Sequence, residues 1–207
     1  MAPHAGPELL AATIVHTRLE DGRKVCLRAV RPADEPRMRH GIALLSQQSR
    51  YLRFFSAAPA PPDRVIQKLV AVDGHRHLAW GAILSGEPDL PAIGAVHAVR
   101  ESEQAHNAEF AVGILDAYHG LGLARMLTAV LLIHCRAEAI DTMDVQILAE
   151  NRAAANLVGS LGGVKTGSAQ GVSDYVLETQ AALAALRRDP APAGLRAVLA
   201  AFAAHLP

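Results

Sequence analysis

The stretch from Asn107 to Leu127, NAEFAVGILDAYHGLGLARML, decides how the rest of the chain is read. An alternating segment of strand character runs into a turn bearing Gly120 and Gly122, and then without a gap into an apolar run of helical length. A helix entered through glycines leaves its first backbone N–H groups unpaired and facing the turn, with the positive end of the helix dipole behind them. Such a turn is a cradle for phosphate.

The spacing of the glycines separates the ligands that use this device. A Walker loop needs GxxxxGK[ST], and neither glycine is followed at that distance by Gly-Lys. The dinucleotide fingerprint GxGxxG fails at its third glycine, which is Arg125, although Glu150 ends the next strand where a ribose-binding acid would sit. That alternative stays open, but a dinucleotide fold would continue in further βαβ units, and only one strand–helix–strand unit and a tail follow Gly122.

The strand has two unlike faces. Ala108, Phe110, Val112 and Ile114 make the core face, whereas Asn107, Glu109, Ala111 and Gly113 are nearly bare apart from one carboxylate. A ligand lying along a strand needs such a face, and Gly113 predicts a bulge or a close backbone approach.

Outward from this centre, 207 residues with 51% hydrophobic content fit one domain with small additions. Lys+Arg and Asp+Glu are 20 each, so no global field recruits nucleic acid or an anionic membrane. No run reaches the roughly 20 apolar residues of a membrane span, and the N-terminus lacks the charged start of a signal peptide. Cys26 and Cys135 have neither metal-ligand nor disulfide-framework spacing, so a cytoplasmic protein is expected.

Thr13–Leu19 and Arg23–Val30 read as a hairpin turning at Glu20-Asp21-Gly22. Asp34 is placed to cap a helix through Met38, Ile42 and Leu45, and Asp63 to cap a second over residues 63–72. Between them, residues 46–62 concentrate Arg50, Tyr51, Arg53, Phe54 and Phe55 in a chain with 4% aromatics; they are either a packed amphipathic linker or the wall of a groove. HRHLAWGAIL and PAIGAVHAV form an antiparallel pair around a turn over residues 85–89. His75 and His77 lack a third metal ligand and read as edge histidines, and His97 and His134 as hydrogen-bonded core residues. A buried helix follows from Leu123 to Ile140, then the strand DTMDVQIL, a helix opened by Asn151, and a closing strand VSDYVLE. The flexible N-terminus is set at 1–12, the domain at 13–180 and an Ala-rich helical extension at 181–207, which would dock on the domain, cover an edge or pair with a second copy as a homodimer.

YHGLGLARML resembles the acyl-CoA loop of the GNAT superfamily of N-acetyltransferases, Q/R-x-x-G-x-G/A at the start of a long helix. Gly122 and Ala124 fill its last two fixed positions, and His119 stands where Gln or Arg is usual. AEFAVGILDAYHGLGLARML is similar to the Pat-type branch that acetylates protein lysines, and so are VCLRAVRPADEP and SRYLRFFS. NRAAANLVGSLGG resembles the second signature, N-x-x-A-x-x-L-Y-x-x-x-G-F, at Asn151, Ala154, Leu157 and Gly162, with Val158 in place of Tyr and Gly163 in place of Phe. The general acid that the Tyr supplies is therefore missing, as it commonly is in the Pat-type branch, and a thiolate needs little help to leave near neutral pH.

The resemblance implies a GNAT fold of the α/β (α+β) class: a mixed, mostly antiparallel sheet of about seven strands, flanked by helices, with splayed central strands. It implies an enzyme with acetyl-CoA as cosubstrate, no metal, and a primary amine as acceptor, a protein lysine first among the candidates. Backbone near Ile114 and Leu115 would pair with pantetheine amides; His119, Gly120, Leu121, Gly122, Leu123, Ala124 and Arg125 would hold the pyrophosphate. Asn151 would bind the pantetheine arm, cap its helix, or both, and Glu109 would be the general base. A small-molecule amine acetyltransferase and an inactive acyl-CoA-binding module are the alternatives.

Overall fold

The computed structural model describes residue 10 and residues 12–85, 92–188 and 193–203. The expected turn over 85–89, apart from Ser85, and nearly all of the expected flexible N-terminus lie outside these residues.

Eight strands form one sheet in the order β1-β2-β3-β4-β5-β6-β8-β7. They are β1 (Ile14–Arg18), β2 (Lys24–Ala29), β3 (His77–Leu84), β4 (Gly94–Val99), β5 (Asn107–Ile114), β6 (Thr142–Leu148), β7 (Val164–Ala169) and β8 (Val172–Glu178). Only β5 and β6 run parallel. Among the described residues seven α-helices flank the sheet: α1 (Glu35–Leu44), α2 (Gln47–Phe54), α3 (Asp63–Val70), α4 (Leu123–Ala137), α5 (Arg152–Ser160), α6 (Thr179–Arg188) and α7 (Ala193–Ala201). The expected mixed, mostly antiparallel GNAT-type sheet is present, with one strand more than expected.

Strand parity builds a core on each face. Leu78, Trp80 and Ala82 of β3, Val96 and Ala98 of β4, and Ala108, Phe110 and Ile114 of β5 pack on α4, which is buried on nearly every side. Ala79 and Ala95 face the other way, onto Met38 and Ile42 of α1 and Ile66 and Val70 of α3. The tail helices belong to the first core: Leu183, Leu186, Leu195, Val198 and Phe202 are each at most 2% exposed.

Several local expectations give way to tertiary contacts. Asp34 stands at the N-cap of α1, but its carboxylate accepts from both Arg28 guanidinium ends and the Arg31 N–H instead of a helix amide. Asp63 lies inside the first turn of α3, not at its cap, and accepts from Arg39 of α1 at 2.6 Å. Helix α4 stops at Ala137, because Ala139 takes a left-handed φ of 55° that lets the Ile140 N–H reach the Cys135 carbonyl. Strand β7, VKTGSA, is exposed along most of its length and lacks the alternation that marks a strand, so β8 supplies its register.

Inside the first core the Trp80 indole N–H donates to His134 Nδ1 at 3.2 Å, which puts the imidazole proton on Nε2. Burial lowers the His134 pKa to about 4, with Glu138 pulling weakly upward. A depressed imidazole pKa stabilises the fold fully above its unfolded value of about 6.5, and that contribution is lost as pH falls toward 4. The difference of about 2.5 units corresponds to about 3 kcal/mol. Burial pushes His97 in the same direction. Exposed His75, raised by its hydrogen bond to Glu138, acts weakly in the opposite one. Denaturant unfolding is expected to show clearly lower stability at pH 4.5 than at pH 7; equal stability at both would contradict the neutral buried imidazoles.

Candidate functional site

Strands β5 and β6 are paired only over Asn107–Glu109 and Thr142–Asp144, a junction closed by the Asn107 amide donating to Asp144 at 2.8 Å. Beyond it the two strands part around a cleft of about 290 Å³. Its walls are Phe110–Val112 of β5, Val145–Ile147 of β6, Asn151, Ala154 and Val158 at α5, and the last residues of α2.

Backbone parity states which amides face this cleft. The Leu115 N–H donates to the Ile93 carbonyl at 2.9 Å, so Gly113 and Ala111, two and four residues back, also point toward β4. Val112 and Ile114 point the other way, into the cleft. The Leu115 carbonyl accepts from the Tyr118 N–H at 2.8 Å, so both its backbone groups are engaged within the chain. The open edge is therefore the Val112 backbone and the Ile114 N–H, the Ile114 carbonyl being engaged by His119, while the Leu115 amide faces β4.

At the end of this edge lies the glycine turn. Gly120 and Gly122 have φ of 72° and 79°, the left-handed region that a side chain strains. Gly122 is the N-cap of α4, and its carbonyl accepts from Met126, so the N–H groups of Leu123, Ala124 and Arg125 have no partner within the helix. The β1–β2 turn buttresses this loop: the Glu20 N–H donates to the Leu121 carbonyl, and Arg23 stacks 4.3 Å from the Tyr118 ring centre. The His119 imidazole bonds the Ile114 carbonyl through Nε2 at 2.9 Å, and since a carbonyl only accepts, Nε2 carries the proton. His119 thus ties the loop to the strand edge with a side-chain donor, as Gln or Arg could.

The bare face of β5 lies under α2. That helix begins at Ser46, whose hydroxyl accepts from the Ser49 N–H, and Asp116 after β5 holds it in place. Asp116 accepts from the Ser46 N–H at 3.1 Å and from the Ser46 and Ser49 hydroxyls at 2.7 Å. Burial would raise the Asp116 carboxyl, but these three donors outweigh it and hold the pKa at about 2. The last turn of α2 lays the half-buried Arg53 on Gly113, where an added Cβ would touch the Arg53 stem at 3.5 Å. Gly113 is therefore a site of close approach and not of a bulge, since its register with Ala95 is unbroken.

Arg53 borders both the cleft and a second, much smaller cavity of about 50 Å³, lined mainly by apolar residues of α1, α2, β4 and β5. His97 lines the same cavity. Its neighbour His77 bonds the Ala71 carbonyl through Nδ1 at 3.2 Å, so His77 Nε2 accepts from His97 Nδ1 at 3.0 Å, and His97 Nε2 is left unprotonated. His97 is buried and hydrogen-bonded as expected; His77 is not a bare edge residue but half of this pair.

Glu109 is exposed at the point where β5 and β6 separate, and it lines the cleft beside Arg53. Asn151 lines the cleft too, with its side-chain oxygen accepting from the Ala154 N–H at 3.1 Å as the N-cap of α5. Val158 is 1% exposed, and a Cβ on Gly163 would lie 2.3 Å from its Cγ1, so the two departures from the second signature are fitted to one another. Sequence reasoning saw Arg53 and His97 without placing them; the only signal was the density of basic and aromatic residues around 50–55.

A family model described as an acetyltransferase (GNAT) domain matches residues 24–164. An acetyltransferase of Pseudomonas aeruginosa is 31% identical over 144 residues, which span 70% of this chain and 77% of that protein. Among solved structures, the GNAT domain of PAT from S. lividans superposes with a TM-score of 0.73 at 21% identity, covering 80% of this chain and 96% of its own. Spermidine N-acetyltransferase from Vibrio cholerae, in complex with CoA and spermine, gives 0.59 at 17% identity, covering 77% and 98%. At these identities the two structures speak for the fold alone.

Proposed function

This chain belongs to the GNAT acetyltransferase family, whose members carry out acetyl transfer from acetyl-CoA, and from that premise we propose that it acetylates a primary amine in a ternary complex with Glu109 as general base. The observation that carries this reading is the place of Glu109, on the bare face of β5 where the cleft opens.

In this reading the pyrophosphate rests on the amides after Gly122 and the pantetheine arm on the Val112 and Ile114 edge, with Asn151 across the cleft. An alkylammonium has a pKa near ~10.4 and must lose a proton before its nitrogen lone pair can attack the thioester carbonyl. Glu109 takes that proton, directly or through a water. The carbon–nitrogen bond forms, the nitrogen gives up its second proton to water, the carbon–sulfur bond breaks, and the departing thiolate takes its proton from solvent, since Val158 has none to give. The Val112 N–H, directed into the cleft, is the donor for the charge that develops on the carbonyl oxygen. No step calls for a metal.

A protein lysine is the acceptor suggested by the Pat-like AEFA segment at 108–111. The apolar walls of the second cavity, next to Arg53 and the cleft, favour a small-molecule amine as the other reading. Melting with and without acetyl-CoA, followed by thiol release with a panel of amines and lysine-bearing proteins, tests the proposal. Acetyl-CoA at about 100 times its dissociation constant is expected to stabilise the fold by about 2.7 kcal/mol. Stabilisation with no thiol release on any amine would leave an acyl-CoA-binding module in place of the enzyme.

A further inference from the structure

Arg53 stands out as a cation with nothing to bind. Its five N–H donors make no hydrogen bond or ion pair among the described residues; it touches only the Phe54 ring, 5.1 Å from its centre, and the face of Gly113. Burial pushes its pKa down, and the Glu109 carboxylate, beyond ion-pair distance, pulls it partly back. The other polar neighbour, His97, is neutral, with its Nδ1–H committed to His77. A half-buried guanidinium with no partner is an anion receptor, because it meets an anion with a planar fork of donors.

Its position says what kind of anion. Arg53 lies where the cleft and the second cavity meet, with the base candidate Glu109 on the cleft side. Met38, Ile42, Leu45, Phe54, Leu69 and Ile93 make the cavity walls beyond it apolar. The Glu109 carboxylate acts on Arg53 and lines the same cleft, which puts this cation on the acceptor's side of the proposed chemistry. We propose that Arg53 binds a carboxylate carried by the acceptor close to its reacting amine, with the acceptor's nitrogen toward Glu109; this rests on the amine-acetyltransferase reading above. The matching acceptors are apolar amino acids or a peptide lysine beside an acidic residue. A polyamine, which brings only positive charge to Arg53, is disfavoured.

Two substrate pairs test this by thiol release with acetyl-CoA. Phenylalanine and phenethylamine differ only in the carboxylate; lysine peptides with Asp or Ala next to the lysine make the same comparison in a chain. In wild type, kcat/KM is expected to favour the carboxylate-bearing member of at least one pair by about 100-fold, mainly through KM, as two charge-assisted hydrogen bonds would give. Arg53→Gln is expected to abolish that preference, and Arg53→Lys to restore part of it. The pair that shows the preference identifies the source. A ratio near one in both pairs in wild type overturns the proposal while leaving the enzyme reading intact. So does a loss in Arg53→Gln that is equal for both members, which would make Arg53 a positioning residue for Glu109. Should Arg53→Gln fail to fold, the wild-type ratios and Arg53→Lys still decide. If no amine releases thiol, the enzyme reading falls first and this proposal with it.

Discussion

Glu109→Gln is expected to lower kcat by roughly 100- to 10,000-fold, the usual worth of a positioned general base, while acetyl-CoA still raises the melting temperature of the variant as it does that of wild type. The exchange keeps the shape of the side chain and removes only its capacity to take a proton. Glu109 forms no hydrogen bond or ion pair among the described residues, so the fold does not depend on its charge. Surface exchanges of this kind usually change stability by no more than about 0.5 kcal/mol. Thiol release at saturating amine, beside melting curves of both proteins, separates a lost base from a lost fold. Activity within a few-fold of wild type would move the role to another acceptor in reach of the amine, and His97, with its unprotonated Nε2 on the neighbouring strand, would be the first to examine.

Phe202→Ala is expected to cost about 3–5 kcal/mol, the range for deleting a buried aromatic ring. Phe202 is 1% exposed and meets Trp80 edge to face, with ring centres 5.8 Å apart. Trp80 is fully buried and holds His134 by its N–H, so the lost ring leaves a hole beside a polar pair that water cannot easily fill. Against a total of about 5–15 kcal/mol this is a large fraction, and the melting temperature is expected to fall by about 10 °C. Ending the chain before Ala193 also removes Leu195 and Val198, both at most 1% exposed, and that chain is expected not to fold. A variant that melts within 2 °C of wild type would mean that the tail helix is a detachable cover.

Much of the site was legible because its signals are local. The glycine turn, the unlike faces of β5 and the Asn151 cap each lie within a few residues of sequence, and each stands where it was expected. What escaped depends on residues distant in the chain. Helix α2 has a largely polar sequence, QQSRYLRF, and Asp116 fixes its start from 70 positions away. The His77–His97 pair exists only because β3 and β4 meet in one register, and Arg53 reaches Gly113 only after α2 has docked. The Asp34 and Asp63 caps failed for a related reason: an arginine from another element offered each carboxylate a better partner than a helix amide. The Leu115 amide, expected beside Ile114 at the cleft, faces β4, because one residue is enough to turn a backbone amide to the opposite edge.

The short ladder between β5 and β6 divides the sheet mechanically. Three paired residues make a hinge between a five-stranded half and a three-stranded half, and past that hinge the molecule holds a strand edge in its middle, where most sheets confine theirs to the rim. Rim edges are guarded by charges, bulges or prolines, because an unpaired row of amides invites another strand. This interior edge has no such guard on Val112 and is instead shut in by the first turn of α5 and the end of α2. A slender extended molecule with amides of its own can enter the wedge and act as the missing strand, while a whole polypeptide strand with side chains on both faces is too broad to follow it.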